Sequence, residues 1–265
     1  MKAGFFEDGF AVYDADPPIA AWVEAALPLA QHALQDTQLR KDWLRCEGTW
    51  FVGVDALPTG PEGEAGETTL SGSVIDDLNA YLPFEKPLHK AQLSAVFPGY
   101  PKPREGEGDA AFRYRLKRDA AHVDGLHAIG PARQRHLVEY HAYLLGIPIN
   151  LYSADASPLV VWRNSHSIIR EALASKLSGC DPEQWPDVDL TDVYQNARRV
   201  CFDECERIEL PVKPGQALVM HRHLLHGIAP WGSEATAPLD GRMIAYFRPE
   251  ISGDRSRWLD IDKLL

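Results

Sequence analysis

From about residue 111 onward the chain breaks into short apolar segments separated by turn formers, and no other feature restricts its possible folds as much. Residues 111–116 alternate in polarity, while 137–145, 158–162, 207–212, 216–220 and 242–247 are rich in Val, Ile, Leu and aromatic side chains. Segments of that length and composition suit strands. Pro214-Gly215 marks a tight turn between two of them. No strand–helix–strand alternation runs through the region, which argues against a parallel sheet and for an antiparallel sandwich or jelly roll. Trp50-Phe51-Val52-Gly53-Val54 and residues 89–97 read as further strands. Helical spacing falls on the flanks: 19–39 after Asp16-Pro17-Pro18, 74–82, and 165–177. The expected class is mostly β with flanking helices. Residues 98–109 concentrate Pro, Gly and charge, as a mobile lid or a solvated connector would, and 181–199 reads as a polar insertion of helix or loop.

A length of 265 residues suits one large domain or two small ones. With 45% apolar and 25% charged residues the composition is that of an ordinary soluble protein. Asp and Glu outnumber Lys and Arg by 38 to 27, a balance of −11 that argues against nucleic acid or an anionic membrane as partner. The same balance disfavours polyanionic substrates in general. Apolar stretches fall far short of a membrane span, and the first residues lack a signal-peptide core, so a cytoplasmic protein is expected. Cys46, Cys180, Cys201 and Cys205 are too few and too scattered for a disulfide framework and read as free thiols.

The chemistry concentrates in two segments. In His122-Val-Asp124 the two side chains project to one face of an extended segment, so both can reach one ion, and Gly125 lets the backbone turn away. Lys213-Pro-Gly-Gln-Ala-Leu-Val-Met-His-Arg-His-Leu-Leu-His-Gly227 is a turn, then an apolar strand, then three histidines: His221, His223 and His226. A surface His–Asp pair and a satisfied core His221 are the plainer readings. One histidine joining His122 and Asp124 makes two imidazoles and a carboxylate, a set that holds non-haem Fe(II) with positions left open. His226 fits best, because Leu224-Leu225 continues an apolar strand and Gly227 leaves space.

Gly215-x5-His221-x2-Leu224-Leu225-His226-Gly227, followed by Gly241-Arg242-x-Ile244-x-Tyr246-Phe247, resembles the C-terminal signature of phytanoyl-CoA dioxygenase-like enzymes. These are Fe(II)/2-oxoglutarate-dependent oxygenases. His122-Val-Asp124 fits the same pattern, as does the segment 157–166, with Asn164 where the family usually has Gly. The likeness covers roughly residues 110–250. It implies a double-stranded β-helix (a cupin-like jelly roll) with Fe(II) held by His122, Asp124 and His226, residues that would then be catalytic. It also implies 2-oxoglutarate as cosubstrate anchored by Arg242, dioxygen, and oxidation of a small molecule with release of succinate and CO2. Neither nucleic acid nor membrane is an expected partner, and no oligomeric state is legible. The expected organisation is a single domain, 1–265. A helical N-terminal cap with supporting strands covers 1–88, and the β-helix core covers 89–250 with an insertion at 178–206.

His226 and Arg242 are 16 residues apart, more than the family's expected spacing, and the segment between them reads as a lengthened hairpin loop. Arg248 is the rival anchor, although its place beside Pro249 reads as surface. Tyr114 and Tyr140 are candidates to reach the cosubstrate or substrate, or else core aromatics with a hydroxyl at the rim. Trp162 and Trp231 read as packing, Arg163, Asn164 and His166 as a polar pocket or helix cap, and His127 and His136 as loop histidines without a task. Two other classes use the same residues: a cupin-like metalloenzyme without the Arg242 anchor, and a metal-free binding module.

Overall fold

Met243, Ala245 and Phe247 alternate with Arg242, Ile244 and Tyr246 along one strand, and this period of two sorts the molecule into layers. In the computed structural model, which describes residues 1–2, 4–81 and 87–260, the chain forms two facing antiparallel sheets flanked by helices. The strands are β1 (Phe10–Tyr13), β2 (Leu44–Arg45), β3 (Trp50–Phe51), β4 (Gln92–Val96), β5 (Leu126–Ile129) and β6 (Gln134–Leu137). They continue as β7 (Tyr143–Pro148), β8 (Leu159–Trp162), β9 (Arg207–Leu210), β10 (Ala217–His221), β11 (His226–Ile228) and β12 (Arg242–Phe247). The helices are α1 (Gly4–Glu7), α2 (Pro17–Gln35), α3 (Thr37–Trp43) and α4 (Ser73–Tyr81). After them come α5 (Asp109–Lys117), α6 (Ser165–Leu177) and α7 (Thr191–Glu204).

The larger sheet has the order β1-β10-β7-β12-β4-β3-β2, the smaller one β11-β8-β9, and β5-β6 is a separate hairpin. One face of the larger sheet carries Leu145, Ile147, Val219, Met243, Ala245 and Phe247 into a core shared with Trp22, Val23, Ala26 and Ala30 of α2. Trp22 and Phe247 meet edge to face at 5.8 Å. Truncating a fully buried tryptophan costs roughly 3–5 kcal/mol, so the Trp22 side chain alone is a large share of a domain's stability. The opposite face turns Leu144, Leu218, Met220 and Ile244 toward Leu159, Val161 and Leu210 of the smaller sheet.

Several expected elements need correction. Residues 111–116 are not a strand but lie in α5, where only Phe112 and Arg115 turn inward, three positions apart. The long helix expected over 19–39 breaks at Asp36, whose carboxylate caps α3 through the amides of Gln38 and Leu39 at 2.8 Å. Asp16 precedes α2 but caps nothing there; its carboxylate accepts from Ser73 N at 2.8 Å, at the start of α4. The helix expected over 74–82 is α4, and residue 82 lies outside the described residues. The strand expected over 137–145 divides into β6 and β7, and β1 and β5 were not expected at all. Helices contribute more residues than strands, so the flanking layers are larger than a mostly-β reading implies.

Candidate metal centre

His122 and Asp124 precede β5, and His226 opens β11, which belongs to the smaller sheet whereas β10 belongs to the larger. His226 therefore does not continue the apolar strand that leads to it; the chain crosses between sheets at residues 222–225. His122 and His226 form an isolated antiparallel bridge, each amide donating to the other's carbonyl, at 2.8 and 3.0 Å. Gly227 makes this approach possible, since a Cβ there would meet Asp119 O at 2.2 Å. Gly125, at φ +83°, turns the chain beside Glu139 O, which its Cβ would meet at 2.4 Å.

Helix α7 and β9 hold the segment from outside. The guanidinium of Arg207 donates two bonds to Asp119, at 2.7 and 2.9 Å. Arg198 donates to Ala121 O at 2.8 Å, and Tyr194 Oη accepts from Val123 N at 2.9 Å. The insertion over 178–206 thus positions the His122–Asp124 segment, a role that its polar composition did not announce.

One donor atom from each of His122, Asp124 and His226 lies within 4.8 Å of the others, the only such group of three or more His, Cys, Asp or Glu among the described residues. His122 faces an acceptor at each ring nitrogen: Ala120 O at Nδ1 (3.1 Å) and Asp124 Oδ1 at Nε2 (3.2 Å). A neutral imidazole supplies only one N–H, so one contact needs a second proton or a metal ion. Burial, reinforced by His122, pushes His226 down to about 4, which keeps its ring neutral. Its Nδ1 lies 2.9 Å from Leu224 O, leaving the Nε2 lone pair facing Asp124 at 3.8 Å. Burial pushes Asp124 up, yet the His122 hydrogen bond and the charge of Arg248 outweigh it and hold the carboxyl well below its usual range. Lone pairs and a carboxylate converging in this way form a set that a divalent ion would complete, with backbone carbonyls fixing both imidazoles.

A cavity of about 160 Å³ adjoins the three residues. Leu144, Leu159 and Ile228 form apolar wall, while Trp50, Val52, Val54, Gln92 and Ser94 come from the first hundred residues, where no site was expected. Arg242, Ile244, Tyr246 and Arg248 share one face of β12 and its extension, and Tyr246 and Arg248 line the cavity. Arg248 is not a surface residue: its Nη1 lies 3.4 Å from Asp124 Oδ2. Its even spacing from Arg242 was the signal that could have identified it.

Arg242 is 0% exposed. Its Nε donates to Ser157 O at 2.8 Å, but Nη1, Nη2 and the nearby Ser157 Oγ have no hydrogen-bond partner among the described residues. Asn150 fixes the strand on either side of it, donating to Gly241 O at 2.7 Å and accepting from Met243 N at 3.0 Å. Neither Arg242 nor Ser157 lines the cavity itself; Ser157 stands two residues before Leu159, and Arg242 four before Tyr246, both of which do. The lengthened loop does not displace Arg242, because Trp231 and Thr236 tie it to Tyr100 and Ser153.

The structure does not bring the two tyrosines into the cavity. Tyr140 packs between Trp185 and Trp258, at 6.5 and 6.2 Å, and lines neither the cavity nor the cleft outside it. Tyr114 is 53% exposed on α5 and reaches only the rim of that outer cleft. His221 and His223 are buried with His166, apart from the metal centre. His166 bonds Phe6 O, and Arg163 pairs with Asp8 and Glu206. His127 and His141 both contact Glu139. The four cysteines are free, and no helix among the described residues is long and apolar enough to cross a membrane.

No protein-family model matches the chain, and no curated protein matches it in sequence. Solved structures do resemble it. The non-heme alpha-ketoglutarate-dependent carbocyclase SnoK from nogalamycin biosynthesis is 14% identical, with 93% of this chain and 81% of that one covered at a TM-score of 0.50. The epimerase SnoN in complex with Fe3+, alpha-ketoglutarate and nogalamycin RO is 14% identical over 94% and 81%, at 0.46. EctD from S. alaskensis with bound Fe is 13% identical over 94% and 75%, at 0.44. At such identities the likeness to the carbocyclase concerns the fold alone.

Proposed function

We propose that this protein is an Fe(II)- and 2-oxoglutarate-dependent oxygenase acting on a small molecule, built on a double-stranded β-helix of the phytanoyl-CoA dioxygenase-like kind. The observation that carries the reading is Arg242, a wholly buried guanidinium with two nitrogens unpartnered among the described residues, on the same face of β12 and its extension as Tyr246 and Arg248, which line the cavity adjoining the His122–Asp124–His226 centre. A buried cation with two nitrogens lacking acceptors is costly, and a carboxylate met by two parallel N–H groups relieves that cost. A metalloenzyme of the same fold without 2-oxoglutarate would have no use for it.

In this reading His122 and His226 present Nε2 and Asp124 a carboxylate oxygen to the metal, while Arg242 and Ser157 Oγ receive the distal carboxylate of 2-oxoglutarate. Bound there with dioxygen, Fe(II) and 2-oxoglutarate supply the oxidising power for a C–H bond as 2-oxoglutarate is cleaved to succinate and CO2. Leu144, Leu159 and Ile228 keep water from the cosubstrate's methylenes. Arg248 balances and orients the Asp124 carboxylate. Substrate enters from the outer cleft, where His122 is exposed. The test is anaerobic Fe(II) and 2-oxoglutarate titration with succinate as the turnover readout. Stoichiometric Fe(II) uptake should disappear in Asp124→Ala. Affinity for 2-oxoglutarate should fall by about 100-fold in Arg242→Ala, the scale of a lost charge-assisted pair. Unchanged 2-oxoglutarate affinity in that variant overturns the cosubstrate assignment, and undiminished metal uptake in Asp124→Ala overturns the metal centre.

A further inference from the structure

Outside the metal centre the cavity continues into a cleft of about 420 Å³ that shares Trp50, His122, Asp124 and Arg248 with it. In a chain of net charge −11, this cleft is lined by Arg248 and six more arginines: Arg104, Arg115, Arg118, Arg133, Arg135 and Arg198. No lysine lines it among the described residues. Its carboxylates, Asp124 and Glu139, are already committed, the first to the metal centre and Arg248, the second to His127 and His141.

The arginines exceed what the fold needs. Arg115 is 91% buried; Nε and Nη2 bond Glu107 and Lys102 O, but Nη1 has no partner among the described residues. Arg198 Nε is likewise without one. The guanidinium carbons of Arg118 and Arg198 stand over the same Phe202 ring, at 4.2 and 5.4 Å from its centroid. Burial and, against the nearby Tyr194, the charges of Arg198, Arg133 and Arg104 push Arg135 below the ordinary arginine range. Like charges gathered at a desolvated wall repel one another unless an anion lies between them.

We propose that this cleft binds a phosphate or diphosphate ester group of the substrate, holding it while another part of the molecule reaches the metal centre. Planar guanidinium forks match phosphate oxygens in pairs, which a point-charged lysine does not, and a single carboxylate would occupy only one or two of the seven. That the anion belongs to the substrate rests on the oxygenase reading; that the cleft binds it does not.

The test is calorimetric titration of inorganic pyrophosphate into the full chain, kept metal-free so that the anion cannot chelate an ion. Saturable binding that weakens with added NaCl is expected. The Arg104→Ala/Arg133→Ala variant alters two exposed residues that form no ion pair among the described residues, and it should raise Kd at least tenfold. Lys213→Ala, outside the cleft, should leave Kd within twofold, and so should Arg242→Ala. Absence of saturable binding, or an unchanged Kd in the double variant, overturns the proposal; citrate binding tighter than pyrophosphate overturns the choice of phosphate. Anion binding without 2-oxoglutarate turnover would remove the oxygenase reading alone, and turnover without anion binding would remove this inference alone.

Discussion

Two arginines, Arg222 and Arg242, are almost completely buried, one against the C-terminal segment and one at the start of β12. Arg222 spreads its guanidinium over four carbonyls: Trp258 O at 2.7 Å, Ala142 O at 3.1 Å, Arg257 O at 3.0 Å, and Asp260 O. Arg242 has Ser157 O as its one hydrogen-bond acceptor among the described residues, beside the Tyr152 ring at 5.8 Å. Both charges are equally hidden from water, so burial does not tell them apart; the count of acceptors does. The first ties the C-terminal segment to the body. The second is a half-made interaction, and half-made interactions survive in a core where a ligand completes them.

The largest expected effect tests that contrast directly. Arg222→Met should lower the unfolding free energy by about 3–5 kcal/mol, because four buried carbonyls lose their donor. Arg242→Met should stay within about 1 kcal/mol of the parent or rise above it, since an apolar side chain replaces an uncompensated charge. Equal losses in urea denaturation would make both arginines architectural. A smaller effect follows from linkage. With metal present, 2-oxoglutarate at a hundredfold excess over its Kd should stabilise the parent by about 2.7 kcal/mol. The same addition should give only about 0.4 kcal/mol in Arg242→Met, whose affinity is about 100-fold weaker, and should still stabilise Arg222→Met in full.

Arg115 is the intermediate case, and it gives the smallest effect. Its hydrogen bonds hold the Glu107 carboxyl at about 2, below the ordinary value of 4.5. The stabilisation is complete above pH 4.5 and is lost as pH falls toward 2, because the unfolded chain takes up the proton first. Urea midpoints at pH 5 and pH 3 should therefore differ less in Glu107→Gln than in the parent. An equal difference in both would show that Arg115 does not depend on this partner.

Much of the metal centre was legible because few residue types bind ions and the spacing between them carries geometry. His122, Asp124 and His226 converge as their pattern implied, and β12 runs over residues 242–247 as its apolar run required. What escaped depends on pairing between distant segments. Ser94 and Gln92 face the cavity because β4 pairs with β12, a register that no local pattern specifies. Arg248 was misread from its neighbour Pro249, although strand parity placed it with Arg242. Residues 111–116 look alternating in composition, yet only burial three positions apart distinguishes a helix from a strand there. Net charge misled in a similar way: an average of −11 conceals seven arginines brought together from positions 104 to 248.

The bridge between His122 and His226 has a consequence for chain entropy. Two backbone bonds already hold these positions together, and an ion shared by their side chains would act as a cross-link around a loop of about a hundred residues. By the polymer arithmetic for a closure of that length, such a tie removes about 4–5 kcal/mol of freedom from the unfolded chain. The same three side chains that ready an ion for chemistry would then also be a staple across the fold, coupling its lifetime to the supply of metal.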